Sequence, residues 1–388
     1  DVIVPGWAAV DAGMIAASPG LRMIQKWGIA LDRIDLDAVE RAGLTLAITA
    51  GANASVVAEH AVMLMLAVYR RLSMIDRATR EGRWLFDEMR GVCRRLGGKT
   101  VGLIGFGHIG RMLAKKLSGF EVNVLYTDPR RCDPETEARL GVRFVSRDEL
   151  LAESDVVSLH IPGGEENRHL MDADAFSRMK PGAILINVSR GEIVDETALA
   201  AAIRSGRLMG AGLDVFESEP PARDNPLLGL DEVVLTPHTA GSVIDNVPNV
   251  ARHAFGNIET FLVRDQREAK RGAFVGSHRA IIHPLPDSGI EKEHESAGCY
   301  HITGKRKALV SDREVVHTGQ RRERLIGELF ERIVPVHLET GLRFVAHRIG
   351  AIEFHAHIFK RAIGRVSIDQ LGQAHIAPLG VALQIAGK

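Results

Sequence analysis

The 388 residues suffice for two or three domains, and three widely separated cysteines, Cys93, Cys132 and Cys299, exclude a disulfide-held module or a cysteine-based zinc cluster. Lys plus Arg and Asp plus Glu balance at 49 each. That balance removes the overall electrostatic footprint of a nucleic-acid or anionic-membrane binder and points to a small-molecule ligand.

No apolar run reaches the roughly 18 residues of a membrane span, and the opening DVIVPGWAAVDAG lacks the basic-then-apolar order of a signal peptide. A soluble, cytoplasmic protein is expected, and the start at Asp1 without a methionine suggests a fragment. Residues 263–388 hold 20 Lys and Arg against 14 Asp and Glu, together with ten of the 16 histidines, so the chain changes character near Leu262.

Before that point, short apolar runs alternate with amphipathic stretches, the pattern of a parallel sheet covered on both faces by helices. In chain order, strands are expected at Met23 to Lys26 and Leu44 to Ile48, then a long buried helix from Ala54 to Arg71 that contains AVMLMLAVY. Further strands are expected at Val101 to Gly105, Val122 to Thr127, Asp155 to His160, Ala183 to Val188, Ala211 to Val215 and Glu232 to Thr236. Helices are expected between them, at Ile109 to Leu117 and Asp195 to Ser205.

The tail, residues 266–388, fits neither period. LIGELFERIVPVHL is locally helical up to Pro335, while RFVAHRIGAIEFHAHIF mixes both patterns. An appended domain, a disordered extension and a shifted reading frame all stay open. Its basic clusters read as solvated charge, and His355 and His357 lack an evident third ligand, so neither nucleic-acid nor metal binding is expected.

The segment KTVGLIGFGHIGRMLAKKL places Gly105, Gly107 and Gly110 directly after a strand and at the opening of a helix. The first glycine permits the tight turn, the second lets backbone approach a pyrophosphate, and the third lets helix pack on strand. The helix N-terminus then offers amides and partial positive charge to phosphates. Asp128 ends the next strand, where a carboxylate accepts from ribose hydroxyls and repels a ribose phosphate, which favours NAD over NADP; the adjacent Arg130 and Arg131 oppose that choice. The bland alternative is a glycine-rich turn that binds nothing.

Three later segments, ILINVSRGEIVD, AGLDVFESEPP and VVLTPHTAG, each place polar residues at the end of an apolar strand, where open α/β sheets bind ligands. Arg190 supplies a planar fork for a carboxylate or carbonyl. His238 exchanges protons near neutrality, and Glu219 is suited to hold its ring. Singly these read as a surface arginine, a hydrogen-bonded core histidine and a capping glutamate. Together they are the parts that hydride transfer at a 2-hydroxy acid needs.

In combination, GFGHIG, SLHIP, MKPGAILINVSRG, GLDVFESEP and TPHTAGS, in that order, resemble the NAD-dependent D-2-hydroxyacid dehydrogenase family over residues 2–263. The resemblance implies an α/β fold in which a Rossmann-type doubly wound parallel sheet, residues 76–242, is inserted into a flavodoxin-like substrate domain, residues 1–75 and 243–265. The active site would lie in the cleft between them. It further implies that Arg190 binds substrate, that His238 is the acid/base with Glu219 as partner, and that Asp214 sits by the nicotinamide carboxamide. Backbone amides at Gly28, Ile29 and Ala30 would hold the substrate carboxylate, with Asn53 facing substrate. His160 and Pro162 would line the adenosine side, and His108 and Ile109 would present amides to the pyrophosphate.

There are departures. Ala30 replaces a frequent glycine and Trp27 precedes the loop, which suggests a narrower pocket; Asn167 stands where threonine is common. The first strand and helix units of the substrate domain are expected to be missing, leaving an exposed sheet edge. No serine-responsive regulatory domain is expected. By the same resemblance RWLFDEMRGVCRRL is the exchanged arm of a homodimer. Two rivals remain: a degenerate NADH-binding regulator without turnover, and formate dehydrogenase, which resembles a variant with glutamine at the position of Glu219.

Overall fold

The protein is represented by a computed structural model, whose described residues are 1–270. The tail from residue 271, with Cys299, His355 and His357, lies outside the described residues.

The first elements are β1 (Val2–Ile3), α1 (Ala12–Ala16), β2 (Met23–Gln25), α2 (Leu36–Arg41) and β3 (Thr45–Ala47). The three strands form a parallel sheet with β2 in the middle. Asp11 and Asp35 start the two helices, each carboxylate accepting from an amide three residues on. Ile15, Ile24, Ile34, Val39 and Leu46 form this sheet's core.

Next come α3 (Ala54–Tyr69), α4 (Leu72–Arg80) and α5 (Phe86–Arg90). The apolar run expected to be a buried helix is α3. Its broad buried face packs on the next sheet, with Val57, Ala61, Leu64, Met65 and Val68 among Val101, Leu103, Ile184 and Ile186, while Glu59 and Met63 stay exposed on the opposite side.

That sheet is built from β4 (Thr100–Ile104), α6 (His108–Leu117), β5 (Asn123–Thr127), α7 (Pro134–Leu140), β6 (Val142–Phe144), α8 (Arg147–Glu153) and β7 (Val156–Leu159). It continues with α9 (Ala173–Arg178), β8 (Ala183–Asn187), α10 (Glu196–Arg204), β9 (Leu208–Leu213) and β10 (Val233–Leu235). All seven strands are parallel in the order β10-β9-β8-β7-β4-β5-β6. The expected strands are all present, within a residue or two at most ends. β6 and β1 are additional, and both are too short to carry a periodic signal.

Finally α11 (Val247–Lys270) returns to the small sheet, where Asn257 Nδ2 donates to the Ile48 carbonyl at 2.9 Å. The compositional change near Leu262 therefore falls inside a continuous helix. Its first turn and the residue just before it also hold the turn before α3, since Asn246 and Asn249 both donate to the Ala52 carbonyl. The seven-stranded sheet thus lies, in chain order, between two helices that tie it to the three-stranded one.

Candidate active site

The strand order reverses about β4, and crevices at the carboxyl ends of such strands are where α/β sheets bind ligands. Six of the residues singled out from the sequence stand there. Gly105 follows β4, Asp128 follows β5, His160 follows β7, Arg190 lies just past β8, Asp214 follows β9 and His238 lies just past β10.

The glycine turn has the shape a dinucleotide needs. Gly105 adopts φ 95°, and a Cβ on it would stand 2.5 Å from the His160 carbonyl oxygen, which only glycine avoids. Gly110 lets α6 close onto the turn, because a Cβ there would meet the Gly105 carbonyl oxygen at 2.5 Å. Gly107, by contrast, has room for a Cβ and caps α6 with no side chain, and the helix opens at His108 and Ile109, whose amides stand at its N-terminus. Asp128 holds the turn: its carboxylate accepts from the Phe106 amide at 2.8 Å and the Arg130 amide at 2.9 Å. Arg131, the other cation beside it, is bound instead to Glu137. These residues fit a dinucleotide.

On the far side of the turn, His160 Nε2 lies 2.9 Å from Ser158 Oγ, while its buried Nδ1 has no partner among the described residues. Burial pushes this imidazole down to about 3, so it is neutral at ordinary pH. Asn167, one of the departures, donates through Nδ2 to the Pro162 carbonyl at 3.0 Å.

At the other end of the crevice His238 Nδ1 and Glu219 Oε2 are 2.8 Å apart. Glu219 also accepts from the Phe216 amide, and the buried Glu196 holds the same loop by accepting from the Glu217 amide at 3.0 Å. The Glu196 carboxyl is pushed up by burial, only partly offset by these hydrogen bonds.

Asp214, at the end of β9, directs its carboxylate into the His238 loop. It is 1% exposed, and its carboxylate accepts from the Thr236 hydroxyl at 2.5 Å and from the Thr239 and Ala240 amides at 2.9 and 2.8 Å. Burial raises its pKa, but hydrogen bonds from His60, Thr236, Ala240 and Thr239 outweigh that and hold the group below the usual carboxylate range.

Arg190 reaches across the crevice. Its Nε and Nη2 lie 3.0 and 2.9 Å from Asp32 Oδ2, and Nη1 donates to the Ser189 carbonyl at 2.6 Å. Asp32 belongs to the loop expected to hold a carboxylate, and that expectation needs one correction. The Gly28 amide donates to Thr49 Oγ1 at 2.9 Å, because Gly28 and Thr49 pin the loop together, so the amides of Ile29 and Ala30 are the loop's candidates. Below the loop Lys26 is buried and donates to the Gly6 carbonyl. Burial lowers its pKa against the pull of Asp32, and Arg190 and Arg33 lower it further. Asn53 precedes α3, and its buried Oδ1 has no partner among the described residues.

The sequence reading missed Trp7. Its indole meets the His238 ring edge-on with centroids 5.0 Å apart, Arg33 stacks over it at 4.7 Å, and it is 58% exposed. Trp27, the residue expected to narrow the pocket, ties its loop to β1's through its backbone, its amide donating to the Pro5 carbonyl at 3.0 Å. No local pattern near residue 7 signals proximity to residue 238.

Comparison with known proteins fits this geometry. Residues 62–240 match the family model described as D-isomer specific 2-hydroxyacid dehydrogenase, NAD binding domain. A hydroxypyruvate reductase of Thermotoga maritima is 40% identical over 246 residues, 63% of this chain and 78% of that protein. The chain belongs to the D-2-hydroxyacid dehydrogenase family.

Within that family, D-3-phosphoglycerate dehydrogenase of Archaeoglobus fulgidus is 42% identical over 249 residues, covering 64% of this chain and 47% of that protein. The chain thus spans about half the length of the phosphoglycerate dehydrogenases it matches. Among solved structures, D-mandelate dehydrogenase of Rhodotorula graminis in its apo form superposes with a TM-score of 0.63 at 32% identity, covering 67% of this chain and 80% of that one. As in other members of the family, residues 62–240 are an NAD-binding domain. Among the described residues there is no cluster of three metal-ligating side chains, and no helix is long and apolar enough to cross a membrane.

Proposed function

We propose that this chain is an NAD-dependent oxidoreductase that interconverts a D-2-hydroxy acid and its 2-keto acid. The observation that carries the reading is the 2.8 Å pairing of His238 with Glu219 just past β10, at the same strand-end edge that holds Arg190 and the glycine turn. Asp128 and the amides of Gly107, His108 and Ile109 would hold NAD, with His160 and Pro162 on the adenosine side and Asp214 supporting the nicotinamide end. When bound, NADH supplies the hydride.

The protein's own groups do the rest. The Ile29 and Ala30 amides and the Arg190 donors not engaged by Asp32 orient the keto acid by its carboxylate, and Asn53 borders the same pocket. His238, with Nδ1 turned to Glu219, gives a proton from Nε2 to the developing alkoxide. Glu219 stabilises the imidazolium that does so. In oxidation His238 takes the proton back.

Relatives named for phosphoglycerate, glyoxylate and hydroxypyruvate suggest the substrate panel. Initial rates with NADH and glyoxylate, hydroxypyruvate, pyruvate, phosphohydroxypyruvate and bulkier keto acids test the reading. NADH binding without turnover on any of them would favour the regulator instead.

The working form is a homodimer in which residues 83–96 form an exchanged arm. Trp84 and Phe86 are 78% and 59% exposed there, beside a groove lined by Arg70, Ile75, Thr79 and Met89. Free Cys93 and Cys132 suit a reducing, cytoplasmic setting.

A further inference from the structure

One side chain of α3 reaches the His238 loop. His60 places Nε2 2.9 Å from Thr236 Oγ1 and 3.4 Å from Asp214 Oδ1, and it is mostly buried. The donors in this cluster are fixed by valence. The Thr236 hydroxyl has one hydrogen, and its oxygen lies 2.5 Å from Asp214 Oδ1, an ionised carboxylate that only accepts. The hydroxyl hydrogen therefore goes to Asp214. The Thr236 oxygen is left as an acceptor, and His60 must carry its hydrogen on Nε2.

Asp214 passes this order on. Its carboxylate gathers the Thr239 and Ala240 amides, and its carbonyl accepts the His238 amide at 2.7 Å. Every donor of the 236–240 loop that touches Asp214 thus flanks or includes His238. That histidine sits at φ 54°, a region sparsely populated by residues other than glycine, which persists where the surroundings dictate it. The imidazole itself faces Glu219 from the loop after β9 and Trp7 from the loop after β1, with Arg33 behind Trp7.

We propose that His60 is a positioning residue for His238: its Nε2 hydrogen turns the Thr236 hydroxyl onto Asp214, and Asp214 then fixes the angle at which His238 meets Glu219 and substrate. The inference rests on the acid/base reading of His238 given above. It assigns work to a helix that otherwise serves only to pack against the sheet.

The test compares His60→Leu, which removes the donor, with His60→Gln, which keeps an amide donor at similar reach. In His60→Leu, kcat for keto-acid reduction should fall about tenfold to a hundredfold, the scale of a small misplacement of a reacting group, with KM and NADH affinity changed by no more than about twofold. The reduction rate should also fall off at lower pH, because the hold of Glu219 on His238 is loosened. His60→Gln should restore most of kcat and the pH profile. A purely structural His60 would lower thermal stability and leave the per-site pH profile alone, which would overturn the proposal. So would His60→Gln as slow as His60→Leu, or a loss confined to KM.

If His60→Leu does not fold, Thr236→Val interrupts the same chain and should reproduce the kcat loss; an unchanged kcat there overturns the proposal. A separate readout needs no turnover. The ring signals of His238 in histidine-labelled protein, assigned by their loss in His238→Ala, should move in His60→Leu. Absence of turnover by the wild type would refute the dehydrogenase reading, whereas unmoved His238 signals would refute the positioning role alone.

Discussion

His238 Nδ1 lies 2.8 Å from Glu219 Oε2, and an imidazole that gives one nitrogen to a carboxylate has only Nε2 left for a substrate oxygen. The pairing fixes which nitrogen does chemistry and adds negative charge beside the ring when it is protonated. In Glu219→Gln the one side-chain oxygen can keep the bond to His238, with the Phe216 amide losing its acceptor, but the charge is gone. Keto-acid reduction should then fall off at lower pH than in the wild type, and hydroxy-acid oxidation should set in at lower pH. Profiles of kcat/KM in both directions check this, and superimposable curves would refute the pairing. His238→Ala should slow both directions by about two to four orders of magnitude while NADH still binds.

Cofactor choice turns on Asp128, whose carboxylate also holds the Phe106 amide of the glycine turn. Asp128→Ala should weaken NAD use and narrow the gap to NADP, through loss of both the ribose acceptor and its repulsion of a ribose phosphate. Asp128→Asn separates the two effects, since it keeps an acceptor for Phe106 but loses the charge. It should retain more NAD affinity than Asp128→Ala while gaining similarly toward NADP. Binding titrations with both cofactors decide, and a wild type that already prefers NADP would refute this reading of the strand end.

The arm gives a prediction independent of chemistry. Trp84 is the most exposed of the large apolar side chains among the described residues, and it lines a groove together with Ile75 and Thr79 of α4. Trp84→Ser should raise the dimer dissociation constant by about tenfold or more, as loss of a buried aromatic anchor does, without changing the circular dichroism spectrum. Sedimentation across a concentration series measures it. A wild type that is monomeric throughout would refute the homodimer.

Much of this site was legible because the parallel sheet turns chain order into spatial order. Once strands were recognised, the residues just after them, from Gly105 to His238, had to gather at one edge. What stayed hidden depends on contacts that strand order does not set. Trp7 meets His238, and His60 meets Thr236 across 176 positions of sequence. Asp214 was recognised as a polar strand end, but the direction of its carboxylate is decided by the backbone turn at Thr239 and Ala240. Nothing in the order of the 28–30 loop signals that the Gly28 amide donates to Thr49, a partner 21 residues away.

Asp214 also links the site to stability. Burial alone would raise its pKa, yet four hydrogen-bond donors hold it below the usual range, so folding favours its ionised form. A carboxyl whose folded value is depressed stabilises the fold fully above its unfolded value of roughly 4, and that contribution is lost as pH falls through the lower folded value. In Asp214→Asn an NH2 group replaces one of the accepting oxygens and faces a donor it cannot serve, an unsatisfied buried group worth about 1–3 kcal/mol. The variant should therefore unfold at lower temperature than the wild type at neutral pH, and the gap should shrink as pH falls from about 4, the unfolded value, through the lower folded value. Thermal midpoints of both proteins between pH 3 and 8, on the order of the range that spans this titration, provide the measurement. A gap that stays constant over that range would mean that the charge of Asp214 contributes nothing to holding the loop, and that neutral packing alone fixes His238.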